Sequence, residues 1–212
     1  MKHIWTVLLL AALPYAVRAQ VSRGHLSTGA SGLLLRSTSV EAGYPDPNSI
    51  PGNDITAVYR LRTIDANLLL IQASGGLEVV ALKFSPDQAL GLSLNARFGL
   101  VQAPEEAAGF NGKLLLDFPQ YLTWRYGARA TRKSQKTLGV AVGAGYRWAY
   151  FFLPFNSPSV MLEGVYANKH HDWFLRLSAD TRKMQFYNDY SSEGLVPALS
   201  LQQISVAVGR SF

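Results

Sequence analysis

Two short runs contain residues of the types that catalysis or metal binding would need. His25 and Ser27 stand two positions apart, so on a strand both side chains share one face, as a base and a nucleophile require. His170, His171 and Asp172 are adjacent, and neighbouring side chains on a strand point to opposite faces. A third run, residues 44–48, has too few carboxylates for a calcium site.

These three runs have simpler interpretations. We interpret residues 25–27 as part of a polar N-terminal segment, 170–172 as a solvated turn and 44–48 as a stiff loop. We therefore expect no catalytic site, no metal and no cofactor, and we expect that the protein is not an enzyme.

Seven charged residues of mixed sign occupy the small or polar face of the predicted strands. They are Arg97, Asp117, Arg125, Arg147, Glu163, Arg176 and Asp180. In a closed barrel these side chains point inward and can pair. We interpret them as a structural charge network that plugs the lumen, and a narrow polar path for small solutes is the alternative. Because loss of one partner leaves the other charge buried, we expect Arg125→Ala or Asp117→Ala to lower barrel stability without loss of a specific activity.

The elements that must position these charges follow a period of two residues, which is typical of β-strands. In residues 137–152 large apolar side chains alternate with glycine, alanine and Arg147. A strand of about 16 residues is much longer than the usual length of about 5–6 in globular proteins. The same alternation recurs in 89–100, 114–128, 172–180 and 201–212.

Composition favours a lipid-facing apolar surface over a soluble barrel with an apolar interior. The chain has 212 residues, of which 48% are hydrophobic and only 16% charged, against roughly 25% charged residues in soluble domains. Beyond the N-terminus every apolar run is shorter than the about 18 residues of a membrane helix. With the opposite strand register, Arg147 would face lipid at a cost of about 2–4 kcal/mol.

Residue usage excludes every feature that needs cysteine and argues against a nucleic-acid partner. The chain has no cysteine, which excludes disulfides, thiolate metal sites and a lipid-modified N-terminal cysteine. Its formal net charge is +6, but most basic residues stand singly between apolar or glycine positions, so we expect no nucleic-acid partner.

The first 19 residues have the pattern of an export signal. Lys2 precedes an apolar stretch at residues 4–13, and small residues occupy positions 17 and 19. The apolar stretch is too short to cross a bilayer. We predict that residues 1–19 are a cleaved signal peptide and that Gln20 begins the mature chain.

The strand count predicted from the remaining sequence is eight, with ten as the alternative. One N-terminal strand from the candidates 29–40, 55–63 and 67–73 gives eight, and all three give ten. We assign 20–54 to an N-terminal segment with a possible first strand and an external loop, and 55–212 to the barrel body. Seven later strands are predicted at 76–85, 88–101, 112–130, 137–152, 158–168, 171–187 and 200–212.

Loop lengths and aromatic residues predict a topology. Short turns at 85–88, 131–136 and 168–172 alternate with longer connections at 102–112, 153–158 and 188–199, as periplasmic turns and external loops do in outer-membrane barrels. Outward aromatic residues then form two membrane-interface girdles. The periplasmic girdle comprises Phe84, Tyr126, Tyr166, Trp173 and Phe212, and the external girdle comprises Tyr150 and Phe152.

Several motifs together resemble one family. They are the export signal, the strand pair 76–84 and 89–100, residues 116–119 leading into 124–126, the run 142–146 and the terminal Phe212. This set resembles the small outer-membrane β-barrel proteins of Gram-negative bacteria, in the OmpA-like and PorT-like grouping. The resemblance implies insertion into the outer membrane and recognition of Phe212 by the barrel-assembly machinery, and it implies no particular activity.

The sequence thus predicts an all-β, transmembrane, antiparallel up-and-down barrel in the outer membrane, with a structural or interaction role. Its expected partners are outer-membrane lipid and, during biogenesis, the barrel-assembly machinery. Three alternatives remain: a narrow passive channel, a lipid-modifying outer-membrane enzyme, and a soluble periplasmic ligand-binding barrel.

Overall fold

Alternation of large apolar with small or polar residues produces long antiparallel strands in the computed structural model. It describes residues 20–42, 59–151, 154–168, 172–187 and 197–212. A short 3-10 helix, Glu105–Phe110, follows the third strand. Within the described ranges, no helix is long and apolar enough to span a bilayer. The strands are β1 Gln20–Ala42, β2 Tyr59–Ser85, β3 Gln88–Gln102, β4 Leu114–Gly127, β5 Leu138–Tyr150, β6 Pro154–Ala167, β7 Asp172–Asp180, β8 Met184–Tyr187 and β9 Pro197–Ser211.

Eight of these strands close into a barrel. Strands β1 to β7 pair antiparallel in chain order, and β9 pairs with both β7 and β1. The short β8 continues the line of β7 along β9, since Ala179 lies opposite Ile204 and Met184 opposite Leu201. The predicted up-and-down barrel of eight strands is therefore confirmed, and the ten-strand alternative is wrong.

The described residues of three segments predicted separately belong to one strand. Residues 55–63, 67–73 and 76–85 were expected as distinct elements, whereas β2 runs unbroken through Tyr59–Ser85. The pair Gly75 and Gly76 resembles a turn signal, but both residues lie in the ladder opposite β1. A Cβ atom on Gly76 would lie 2.7 Å from the His25 ring, so this glycine makes room for a side chain inside the barrel.

Two other predicted strands differ from the observed strands in their bounds. The predicted strand 171–187 is interrupted at residues 181–183. Strand β6 begins at Pro154, four residues before the predicted start. Pro158 is tolerated because β7 pairs with β6 only from Ser159 onward, so no ladder donor is lost at the proline.

The two faces of the barrel wall have opposite character. In β4 every second residue is buried and the others are exposed. Large apolar side chains such as Leu122, Leu162 and Leu175 are exposed on the outside, whereas the charged side chains of the same strands are buried. We call the end where β1 begins and β9 finishes the terminus end, and the opposite end the loop end.

Glycine in β5 is required by close packing inside the barrel. Gly145 pairs with Tyr121, and an added Cβ atom would collide with the Gln120 carbonyl oxygen and lie 2.8 Å from the Tyr121 Cα atom. We expect Gly145→Val to lower the free energy of unfolding by about 1–3 kcal/mol, as overpacking does. Gly164→Val is the control, because an added Cβ atom there meets open space. Urea unfolding in detergent measures both, and equal stability of the two variants would contradict the packing argument.

Candidate functional site

The barrel interior collects the charged residues that the sequence assigns to the inner face. Each of the seven has at most 4% of its surface exposed. They do not form a single network but fall into two groups at different heights along the barrel, and Tyr121, Ala141 and Met161 form a small apolar cluster in the same interior. Both groups include partners that the sequence analysis did not select.

The first group, which we call the terminus-side cluster, consists of five side chains. Glu163 accepts hydrogen bonds from Arg176 at 2.9 and 2.5 Å and from Arg125 at 3.3 Å. It also pairs with Arg23. Glu78 accepts from Arg176 at 3.0 Å and pairs with Arg125. Two carboxylates are thus shared by three guanidinium groups, so removal of either carboxylate leaves several positive charges buried together.

His25 is part of the surroundings of this cluster. Its Nε2 atom lies 3.0 Å from the Asn95 Oδ1 atom, and its ring packs edge-on against Phe174 with 5.3 Å between centroids. Ser27 is on the same inner face, but its hydroxyl hydrogen-bonds Ser74. Residues 25–27 of the polar N-terminal segment belong to β1, and their two polar side chains are buried.

The second group, the loop-side cluster, comprises Arg97, Asp117, Arg147, Asp180 and Gln203. Arg147 donates to both carboxylate oxygens of Asp180, at 3.0 and 2.7 Å. Asp180 also accepts from the backbone N–H of Gln203 at 2.9 Å. Asp117 makes longer charge contacts, 3.7 Å to Arg147 and 3.8 Å to Arg97. Arg147 and Asp180 form the best-aligned ion pair of this cluster, and Asp117 adds to it.

Apolar side chains fill the barrel beyond the loop-side cluster. The 3-10 helix contributes to this layer, and Phe110 stacks on Phe151 with 5.9 Å between ring centroids. We call the layer the apolar cap. Its buried members are Leu33, Leu35, Ala66, Leu68, Leu70, Val101, Ala107, Leu115, Ala149, Phe151, Phe155, Met184 and Leu201.

Sequence reasoning missed Arg23, Glu78 and the apolar cap. Glu78 alternates with the outward Leu77 inside a predicted strand, so the period of two could have identified it. Arg23 was assigned to the N-terminal segment rather than to the barrel wall. The cap has a signal as well, since residues 33–35 and 68–71 are apolar on both faces of their strands and therefore require an apolar interior there.

The predicted girdle residues lie at the two ends of the outer face. Tyr126, Tyr166 and Trp173 are exposed near the terminus end, and Tyr150 is exposed near the loop end. Phe152 lies outside the described residues, as do residues 1–19, 44–48 and the two histidines at 170 and 171.

Two terminal features also have clear positions. Phe212 is exposed, and its backbone exchanges two hydrogen bonds of 3.0 Å with Gly24, which closes the barrel at the terminus end. Asp172 is the first residue of β7, is buried and forms an ion pair with Arg129. The interpretation of Asp172 as part of a solvated turn is therefore wrong.

An exposed ion pair outside the barrel interior provides a comparison. Arg36 donates to Asp65 at 2.6 and 2.9 Å at the loop end, where both side chains are exposed. The hydrogen bond from Arg36 lowers the pKa of the Asp65 carboxyl below its usual value. Water and salt screen such a pair, so it contributes little to stability. Across the described residues, no three histidine, aspartate or glutamate side chains converge as a metal site.

Comparisons with known proteins give one structural likeness. No family model matches the chain, and no curated protein matches it. Among solved structures, the chain is similar to the outer membrane protein OprG from Pseudomonas aeruginosa, with 11% sequence identity and a TM-score of 0.45 over 91% of this chain and 95% of that one. A likeness of this extent carries no inference about the function of this chain.

Proposed function

We propose that the protein is an integral outer-membrane β-barrel with a closed interior and a structural or interaction role. The observation that carries this proposal is the inverted distribution of polarity across the barrel wall. Charged side chains such as Glu163 and Arg147 are almost fully buried, whereas Leu122 is 54% exposed and Leu175 48% exposed. In water this arrangement would be unfavourable, but in a bilayer it places apolar surface against lipid.

The dimensions of the outer surface support a bilayer environment. On β4 the outward face runs from Leu114 to Tyr126, a stretch long enough for the about 9–11 residues of a tilted membrane strand. The aromatic residues at the two ends of the barrel lie where headgroups would meet the apolar belt. Closure through the β1–β9 pairing removes free strand edges from the wall, as a lipid environment demands. A soluble barrel would need its leucines inside and its charges outside.

The filled interior supports a closed barrel over a passive channel. From the terminus end to the loop end, the lumen contains the terminus-side cluster, the loop-side cluster and the apolar cap in succession. We expect no discrete conductance steps when the purified protein is incorporated into planar lipid bilayers. Reproducible ohmic steps in the native protein would contradict the closed interior and favour the alternative of a narrow solute passage.

The arrangement of His25 and Ser27 favours a non-catalytic role. Each side chain has its own hydrogen-bond partner, the buried Asn95 for His25 and the partly buried Ser74 for Ser27, and both lie on the inner rather than the lipid-facing surface. Their positions suit structural hydrogen bonding better than attack on a lipid substrate. The loops at the loop end are then the surface that would meet an external partner.

Cell fractionation tests the proposal. We expect the protein in the outer-membrane fraction of a Gram-negative host, resistant to extraction with salt or carbonate, with faster gel migration before boiling than after it. Release by osmotic shock as a freely soluble protein would contradict membrane insertion and favour the soluble periplasmic barrel.

A further inference from the structure

The connection between β4 and β5 places basic side chains at the terminus end. Residues 129–136 contain Arg129, Arg132, Lys133 and Lys136. The last three are exposed, whereas Arg129 is about half-exposed and pairs with Asp172. Lys133 and Lys136 do not take part in the charge networks of the barrel interior, so those networks do not explain them.

The surrounding rim is also basic. Over the described residues of the terminus end, six basic side chains face two acidic ones, Asp87 and Asp172. Both acids already have partners, since Asp87 accepts a hydrogen bond from Ser134 at 2.7 Å and Asp172 pairs with Arg129. The rim therefore has a positive potential towards any surface that it meets. We call the following residues the basic rim: Lys83, Arg129, Arg132, Lys133, Lys136 and Arg210.

Hydrogen bonds tie the β4–β5 connection to the neighbouring β2–β3 turn. The Thr131 hydroxyl donates to the Pro86 carbonyl at 2.5 Å, and the Ser134 hydroxyl is 2.7 Å from Asp87 and 2.8 Å from the Gly127 carbonyl. Backbone N–H groups of Lys133 and Lys136 donate to the Thr131 and Ser134 hydroxyls. The lysines are thus presented from a preformed turn, so little ordering is needed when they bind a partner.

The rim lies directly beyond the apolar belt. Tyr126 precedes Arg129 by three residues and is exposed on the outer face, and Leu138, which follows Lys136 by two residues, is 68% exposed. Side chains between such positions and water lie at headgroup height, where lysine stems can extend along apolar surface while the ammonium groups reach phosphate oxygens.

We propose that the basic rim binds the phosphate groups of anionic phospholipids in the leaflet at the terminus end. This proposal rests on the membrane insertion proposed above. Lys133 and Lys136 are its central residues, because both are exposed and belong to a turn that hydrogen bonds hold in place. The preference is electrostatic and is therefore expected to weaken as salt is added.

Spin-labelled lipids measure this selectivity. The full chain is refolded into phosphatidylcholine vesicles that contain a trace of spin-labelled phosphatidylglycerol or spin-labelled phosphatidylcholine. Electron paramagnetic resonance then gives the fraction of each probe immobilised at the protein. At low salt we expect the immobilised fraction of the phosphatidylglycerol probe to be about twofold or more that of the phosphatidylcholine probe. This ratio averages over the whole lipid shell. In the double variant Lys133→Gln/Lys136→Gln the ratio should fall towards one.

A matched double variant tests whether the lost charges must lie at the terminus end. Arg182→Gln/Lys183→Gln removes the same charge from exposed sites at the loop end and should leave the ratio near that of the native protein. Heat-modifiable gel migration verifies that all variants fold. The proposal is overturned if the rim variant keeps the native ratio, or if both variants lower it equally. Absence of immobilised signal from either probe would instead contradict membrane insertion itself.

Discussion

Replacing Glu163 by alanine is expected to lower the free energy of unfolding by about 3–5 kcal/mol. Glu163 is fully buried and binds Arg23, Arg125 and Arg176. In its absence Glu78 alone faces three guanidinium groups, and breaking a buried ion pair leaves an uncompensated charge in a medium of low dielectric. Urea unfolding in detergent micelles, followed by tryptophan fluorescence, measures the effect.

Two further substitutions calibrate this result. Asp65→Ala removes a carboxylate from an exposed pair, and the change in unfolding free energy should lie within experimental error. Asp117→Ala should be destabilising but less so than Glu163→Ala, because Arg147 keeps Asp180 and Arg97 keeps Ser178 and Ser205. If Glu163→Ala is as stable as the native protein, the terminus-side cluster does not hold the barrel together.

Replacing Leu122 by arginine is expected to lower stability in lipid vesicles by about 2–4 kcal/mol. Leu122 is exposed on the outer face, between Leu92 of β3 and Ala144 of β5 in the ladder. An arginine there would face the hydrocarbon region of a bilayer. On a soluble barrel the same substitution would place a charge in water and would be nearly neutral, so this variant distinguishes the two environments.

The matched control for Leu122→Arg is Asn67→Arg. Asn67 is also exposed on the outer face, but it lies in β2 between Asp65 and Leu69, beyond the apolar belt. The Asn67→Arg substitution should leave the free energy of unfolding in vesicles nearly unchanged. Both variants are measured by reversible urea unfolding from vesicles, and equal stability of the two would contradict a lipid-facing position for Leu122.

The fold could be predicted from sequence because a period of two is a local property. In β4 and β5 the alternation alone separates Asp117, Arg125 and Arg147 from the apolar face, without knowledge of which strands pair. The first third of the chain was less predictable because Gly75 and Gly76 resemble a turn, whereas in the barrel both pair with β1 and Gly76 gives room to His25.

The organisation of the interior could not be predicted from alternation. Which charges meet depends on strand register across the barrel, and this brings together residues as distant in sequence as Arg23 and Glu163. Asp117 and Arg125 lie on the same face of β4 but eight residues apart, and each meets its cluster partners on other strands. Predicting the apolar cap would also require recognising β1 and β2 as strands of the barrel wall with inward-facing residues.

Tryptophan quenching by brominated phospholipids tests the central claim, an apolar outer surface in contact with lipid, most directly. Trp124, Trp148 and Trp173 all face outward, and a variant that begins at Gln20, without the predicted signal peptide, lacks Trp5, the only other tryptophan of the chain. We predict strong quenching of this variant in vesicles whose lipids carry bromine near the headgroup end of the acyl chains, because these residues lie towards the ends of the belt. Unquenched fluorescence, with the folded protein remaining in the aqueous phase, would contradict the claim.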